Sequence, residues 1–319
     1  MSINNKIPLL VIAGPTAAGK TEIAVELARI LKGEVVSADS MQIYRFMNIG
    51  TAKPTLQEMK GVPHHIIDII DPDTDFSAAV FQKLARQAIE NICLNGRMPL
   101  LVGGTGFYID AVIYNYDFSG VKADEVFRKS LMQKAEQEGN EAVHKLLEEV
   151  DPETAARIHV NNLKRTIRAL EVYRQTGVAG ALFRNNNKLA CPNYDILLIA
   201  PYYEREKLYT RIEARVDRMI ECGLVAEVQG LLDAGYHRGL VSMQGLGYKE
   251  IVGFLYNEYA LEEAVQLLKR NTRRFAKRQL TWFRRYSSIK WIDMEKNGTI
   301  DNIAKKVKYL MEKLTAQGR

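Results

Sequence analysis

The chain has 319 residues, 47% apolar and 26% charged, which suits a soluble globular protein with a large core. No apolar run approaches the roughly 20 residues that span a bilayer, and MSINNKIPLL has a single lysine before strand-like residues, so neither a transmembrane helix nor a signal peptide is expected and the cytoplasm is the expected location. Cys93, Cys191 and Cys222 are widely spaced and form no C-x-x-C pair, which points to reduced thiols and away from zinc or disulfides.

The first predicted element is a strand from Leu9 to Ala13, followed at once by GPTAAGKT and then by the amphipathic stretch TEIAVELARIL. A G-x-x-x-x-G-K-[ST] segment between a strand and a helix is a phosphate-binding device, because its backbone N–H groups curl inward at a helix N-terminus. Gly14, Pro15, Thr16, Ala17, Ala18, Gly19, Lys20 and Thr21 are therefore the candidate diphosphate or nucleotide site. Lys20 would reach a terminal phosphate and the Thr21 hydroxyl would ligate Mg²⁺. A merely structural glycine-rich turn would not need Lys and Thr after its second glycine.

A second strand, Glu34 to Ser37, leads into SADSMQIYR. Asp39 is expected at the carboxyl end of the sheet, on the P-loop rim where ligands collect in open α/β folds. From the residues alone it could ligate metal, cap a turn with Ser40, or act as a general base. Ile66 to Ile70 reads as a third strand, with Asp68 and Asp71 only superficially like a metal-binding strand end; adjacent His64 and His65 read as structural. The stretch Ser77 to Leu94 steps its apolar residues Val80, Phe81, Leu84, Ala88 and Ile92 at helical spacing. Leu100 to Val102 is the next strand, and it ends in Gly103, Gly104 and Thr105 where an NTPase would place an aspartate.

Alternation of strand and helix then stops. Residues 119–189 hold only helical patterns, and strands resume at Ile196 to Ala200 and Ile289 to Ile292. The expected fold is α/β, a P-loop-type parallel sheet core covered by helices (1–118 and 190–319), interrupted by an all-helical insertion domain (119–189). Near the end, Lys269 to Arg285 holds eight basic residues and no acid, and the rest of the chain is net −2 against +6 for the whole. Helical spacing sets Val265, Leu268, Thr272, Phe275 and Trp282 near one face, and Arg270, Arg273, Arg274, Lys277 and Arg278 on the other. A solvated basic face is the ordinary reading of such a run. In a chain that already handles phosphate, contact with a phosphate backbone or diphosphate is the stronger one.

GPTAAGKT, SADSMQIYRFMNIGTAKP, VPHHIIDIIDP, PLLVGGTGFYI, QGLGYKEI and AKRQLTWFR occur in this order, and together they resemble the tRNA dimethylallyltransferase (tRNA isopentenyltransferase) family. The resemblance covers most of the chain. It implies transfer of a dimethylallyl group from dimethylallyl diphosphate to the exocyclic amine of the adenosine 3′ to the anticodon, in tRNAs reading codons that begin with U. By the same resemblance Asp39 is the base, Lys20, Thr21, Thr105 and Arg128 complete the catalytic set, and Mg²⁺ is the cofactor. The anticodon stem-loop would meet Asp39, Ser40, Met41, Gln42, Thr105, Arg128, Arg165, Gln244, Gly245, Leu246, Gly247, Tyr248, Lys249, Arg273 and Arg278. Gly245 and Leu246 depart from more polar relatives, so contacts there are expected through backbone. Tyr44, Phe107 and Tyr248 are core residues by default and base-stacking platforms by resemblance. A monomer is the working expectation. The rival readings are a P-loop kinase or isopentenyltransferase acting on free adenine nucleotides, and a non-catalytic RNA binder. The helical block and the basic helix argue against the first, since a mononucleotide needs neither.

Overall fold

The computed structural model describes residues 6–114, 116, 118, 123–180, 193–296 and 299–317. Six parallel strands form one sheet: β1 (Ile7–Ala13), β2 (Gly33–Ser37), β3 (His64–His65), β4 (Met98–Gly103), β5 (Tyr194–Tyr202) and β6 (Lys290–Asp293), in the order β3-β2-β4-β1-β5-β6. All the strands being parallel, their carboxyl ends share one rim, and the chain leaves the central strand β1 there as the P-loop. On one face Leu10, Ile12, Leu100 and Ile199 meet Ile23 and Leu27 of α1 (Lys20–Leu31) and Ile303 and Val307 of the C-terminal helix Ile300–Gln317. Helix α2 (Leu56–Met59) is a single turn; α3 (Ala78–Leu94), capped by Ser77, packs on β2 and β4.

The third strand is not where it was expected: Ile66 to Ile70 lies outside the ladder and the strand is formed by the two residues before it. Only His64 and His65 pair with β2, because Ile66 (φ 63°) and Asp68 (φ 55°) turn left-handed. The segment bonds to the loop after β2 instead, with Asp68 N–H donating to Gln42 O, Ile69 N–H to Ile43 O and Arg45 N–H to Ile70 O. Lys53, whose side chain is almost wholly buried, holds this arrangement by donating to Tyr44 O, Asn48 Oδ1 and the Asp68 carboxylate. Ile66 is thus buried and Ile67, Ile69 and Ile70 half-buried without a ladder, and Asp68 and Asp71 serve as ion-pair partners of Lys53 and Arg45.

Contacts between Cα atoms divide the chain into residues 1–113 with 191–319, and residues 114–190. The expected limits, 119 and 189, differ by five residues at the start because α4 (Gly106–Ile113) runs to the division. The second unit contains α5 (Glu125–Glu138), α6 (Asn140–Val150), α7 (Pro152–Arg157) and α8 (Leu163–Thr176). Leu131, Val143, Leu147, Ile158, Ile167 and Leu170 form its separate core. The first unit continues with α9 (Arg205–Glu221), α10 (Leu224–Asp233), α11 (Tyr248–Leu255), α12 (Leu261–Phe283) and α13 (Ile300–Gln317).

Helix α12 contains the basic run, but its buried stripe is Ala264, Leu268, Thr272, Ala276, Gln279 and Phe283, rotated from the expected one. Phe275 and Trp282 lie at the edge of that stripe. The helix also finds acids the local sequence lacks. Lys269 pairs with Asp217 and Arg273 with Glu213, both on α9 and both at 2.6 Å. Among the described residues Arg270, Arg274, Lys277 and Arg278 form no ion pair, so these four make up the uncompensated basic face.

Candidate active site

Three strand ends build the site. After β1, Ala17 takes a left-handed φ of 62°, a strain of about 1 kcal/mol for a residue with a Cβ. Its surroundings impose that conformation. The Ala17 side chain packs among Leu208 and Ile212 of α9 and Ala276 of α12, and Arg211 Nε donates to Ala17 O at 2.9 Å. Gln279, buried on α12, accepts from Thr16 N–H at 2.9 Å and donates to Gly104 O at 2.9 Å. One P-loop amide is therefore already engaged by protein, which narrows the expected cradle.

After β2, the backbone of Ala38 accepts from Thr105 N–H at 3.2 Å and donates to Val102 O at 2.7 Å. A Cβ at Gly103 would collide with the Ala38 backbone, so glycine is required for this close approach. Asp39 is partly exposed, and its Oδ1 accepts from Met41 N–H at 2.9 Å. This is an Asx-type turn, in which Asp39 caps the backbone two residues on. Thr105 Oγ1 accepts from Ser40 N–H at 3.0 Å and its hydroxyl donates to Ser40 Oγ at 3.2 Å, which locks the turn. Thr105 thus acts on the conformation of the Asp39–Gln42 segment.

The electrostatics join the P-loop to Asp39. Lys20 Nζ donates to Pro15 O at 2.7 Å, and desolvation, then repulsion from Arg215, push its pKa down to about 8 while Asp39 opposes the fall. Arg215, one turn after Arg211 on α9, is held below its usual value by burial and by Arg211, again with Asp39 pulling the other way. No carboxylate among the described residues lies within ion-pair distance of Arg215. Tyr108 faces the same locus: burial raises its phenol, with Tyr44 and Asp39 adding to the shift, and its ring stacks on Phe81 with centroids 4.1 Å apart. Lys20 and Arg215 are thus two desolvated cations on which Asp39 acts, with Glu58 also acting on Arg215, and together they make this rim basic.

Comparison with known proteins gives the family. The model described as IPP transferase matches residues 42–286, and the one described as Isopentenyl transferase matches residues 7–72. The chain belongs to the IPP transferase family. It is 50% identical over 296 residues to a tRNA dimethylallyltransferase of Alkaliphilus oremlandii, covering 93% of this chain and 94% of that one. It resembles the crystal structure of the full-length tRNA isopentenylpyrophosphate transferase from Bacillus halodurans at 45% identity and a TM-score of 0.72, over 98% and 99% of the two chains. A eukaryotic dimethylallyltransferase captured acting on tRNA matches at 29% identity and a TM-score of 0.76, over 90% of this chain and 74% of that one.

In this member of the IPP transferase family, several expected contact residues have other employment. Gln42, one of the residues that would meet the anticodon stem-loop, donates from Nε2 to Thr51 O and Ala52 O and accepts at Oε1 from Ser37 Oγ. Tyr248 is wholly buried, as is Tyr44, whereas Phe107 is exposed. In the stretch from Gln244 to Lys249, Gly245 packs closely on Met41, Gln244 Nε2 donates to Arg238 O, and Lys249 is exposed beside Glu250. Leu246 is partly buried and Gly247 N–H donates to Glu250 Oε2 at 2.9 Å. Of this motif Gly245 touches the Asp39–Gln42 turn, through Met41, and Tyr248 lies against Gly50.

Arg128 lies in the helical unit, where its Nε and Nη2 each donate to buried Glu171 at 2.9 Å and Nη1 donates to Glu125. Those bonds raise the Arg128 pKa; in Glu171, burial works upward but bonds from Arg128, Asp124 N–H and Arg168 hold the carboxyl below its usual range. The guanidinium that the resemblance assigns to the catalytic set is thus ion-paired within its own unit. Arg165 is exposed on α8. Arg273 is tied to Glu213, so of the two expected phosphate contacts on α12 only Arg278 is uncompensated. Arg278, Lys277, Thr281, Trp282 and Arg285 line a groove of about 270 Å³ on that helix.

Arg211, Arg215 and Gln279 escaped the sequence reading. Each interrupts or borders an apolar helical stripe (Leu208, Ile212 and Val216, or Ala276 and Phe283), and a polar group placed there is the signal that was available.

Proposed function

We propose that the chain transfers a dimethylallyl group from dimethylallyl diphosphate to the exocyclic amine of the adenosine 3′-adjacent to the anticodon in tRNAs reading codons that begin with U. The observation that supports this best is the meeting of Lys20, Arg215 and Asp39 on one rim, with no strand-end carboxylate after β4. Nucleotide hydrolysis needs a positioned water and a strand-end acid; displacement at an allylic carbon needs only a leaving-group cradle and a base. The family to which the chain belongs, and relatives named tRNA dimethylallyltransferase, favour the same chemistry.

In this reading the adenosine leaves the stack and presents its amine to Asp39. That nitrogen is a weak nucleophile because its lone pair is delocalised into the ring, so Asp39 accepts its proton as the new carbon–nitrogen bond forms. Lys20, Arg215 and free P-loop amides balance the charge that builds on the departing diphosphate. Thr105 holds the turn at Ser40, which fixes the direction of the Asp39 carboxylate. Thr21 is exposed in the first turn of α1, and no group of three His, Cys, Asp or Glu among the described residues could bind a metal unaided. This donor set suits Mg²⁺ brought with the diphosphate, Thr21 supplying one oxygen; when bound, the ion lowers the charge on the leaving group.

The test is an assay of labelled dimethylallyl diphosphate with AMP, with unmodified tRNA and with an anticodon stem-loop. Label should appear in the two RNAs. Transfer confined to AMP, or phosphoryl transfer from ATP, would overturn the proposal. Asp39→Asn should keep tRNA binding and lose about 10²–10⁴ in turnover.

A further inference from the structure

A carboxylate away from the reacting groups grips the loop that follows β2. Glu227, on α10, reaches the loop after β2, where its Oε2 accepts from Asn48 N–H at 2.9 Å and Ile49 N–H at 2.8 Å. Its Oε1 accepts from Gly50 N–H at 3.2 Å and from the Tyr248 hydroxyl at 2.7 Å. Three successive N–H groups converging on one point form an anion nest. Here the anion is a side chain from a distant part of the same chain, so the nest is filled by protein.

The clasp has a rigid floor. Tyr248 is fully buried, and burial together with Glu227 keeps its phenol protonated as a donor. A Cβ at Gly50 would collide with the Tyr248 ring, so loop and ring touch without a spacer. From Gly50 the bonding continues to the site. Thr51 O and Ala52 O accept from Gln42 Nε2 at 3.4 Å and 3.2 Å, Ser37 Oγ donates to Gln42 Oε1 at 3.2 Å, and Gln42 closes the turn that begins at Asp39. The amide of Gln42 is therefore oriented by carbonyls whose own position is set one residue after the clasp.

We infer that Glu227 is a positioning residue for the acceptor: through residues 48–52 and Gln42 it sets the Asp39–Gln42 turn, and it leaves the diphosphate side alone. The inference rests on the proposed function in taking that turn as the acceptor side. The two halves of the site are held by different elements, since Ala17 and Thr16 are pinned from Arg211 and Gln279, and neither of these touches the clasp. In Glu227→Gln one acceptor oxygen becomes an NH₂ group, which leaves either the Asn48 and Ile49 amides or the Gly50 amide and the phenol without an acceptor.

The experiment uses the full chain and three readouts. Glu227→Gln should lower kcat/KM for tRNA roughly ten- to a hundredfold, the scale of a lost charge-assisted hydrogen bond. The Kd for inorganic pyrophosphate should stay unchanged. Amide hydrogen exchange should accelerate at residues 48–52 and not in β1 or β4. Tyr248→Phe keeps the carboxylate in the nest and should shift the same readouts in the same direction by less. Faster exchange at 48–52 with unaltered tRNA kinetics would overturn the positioning role. So would a parallel loss of pyrophosphate binding and Tm in both variants, which marks general loosening. If the unsubstituted protein transfers nothing to tRNA, the proposed function fails and this role fails with it, whatever the exchange data show.

Discussion

Arg215 and Arg128 are the same residue type in opposite electrical settings. Arg128, in the helical unit, makes paired bonds to a Glu171 that is itself buried, and its charge is cancelled inside the protein. Arg215, at the rim of the sheet, is desolvated beside Lys20 and Arg211 with no ion-pair partner among the described residues. A cation already matched by a carboxylate has little charge left for a ligand, and removing it strands the carboxylate; an unmatched one costs stability until an anion arrives. The basic helix α12 repeats the contrast on a single element, since Lys269 and Arg273 are matched by α9 whereas Arg270, Arg274, Lys277 and Arg278 face solvent.

The contrast breaks first if the two arginines behave alike. Arg215→Met should cut kcat/KM for dimethylallyl diphosphate by about 10²–10³, as for loss of one preorganised electrostatic donor, with no fall in Tm. Arg128→Met should act mainly on folding, lowering the stability of its unit by about 3 kcal/mol in a denaturant titration because Glu171 keeps only part of its compensation. Pairing it with Glu171→Gln should recover most of that loss. If Arg128→Met instead removed turnover at full stability, the guanidinium would be working on substrate.

A pH titration sharpens the rim side. Lys20 carries its charge below about 8 and loses it above, and a bound diphosphate favours the charged form. Once the ionisation of pyrophosphate itself is subtracted, its Kd should therefore be flat below pH 8 and weaken by up to about tenfold per unit above it, with proton uptake by the protein on binding. Calorimetry in buffers of different ionisation enthalpy measures both, and zero uptake at pH 9 would contradict a desolvated lysine. The smallest effect concerns α12. Arg278→Ala should reduce the slope of log K for tRNA against log salt by about 1, whereas Arg273→Ala should leave the slope nearly unchanged and loosen its pairing with Glu213.

Local pattern alone specified much of this protein. The P-loop, the strand that delivers Asp39, helix α3 with its Ser77 cap, and the all-helical segment all follow from hydrophobic period and turn chemistry within short windows. Side-chain roles that depend on residues far away in sequence did not. Ile66 to Ile70 has strand composition, but Lys53 and the 42–45 backbone capture it. Tyr248 and Gln42 look like RNA contacts until Glu227, Gly50 and the Thr51 carbonyl are found around them.

Charge shows the division most sharply. Counting residues along the chain identifies a segment with eight basic groups and no acid. Whether each of them is neutralised depends on helix α9, more than 50 residues earlier, and on which side of α12 faces it. Sequence determined which groups the protein possesses and which secondary structure holds them, because those follow from neighbours three or four positions apart. Tertiary packing alone decided which charges remain unpaired, because desolvation and ion pairing act through space and join elements that the chain keeps far apart.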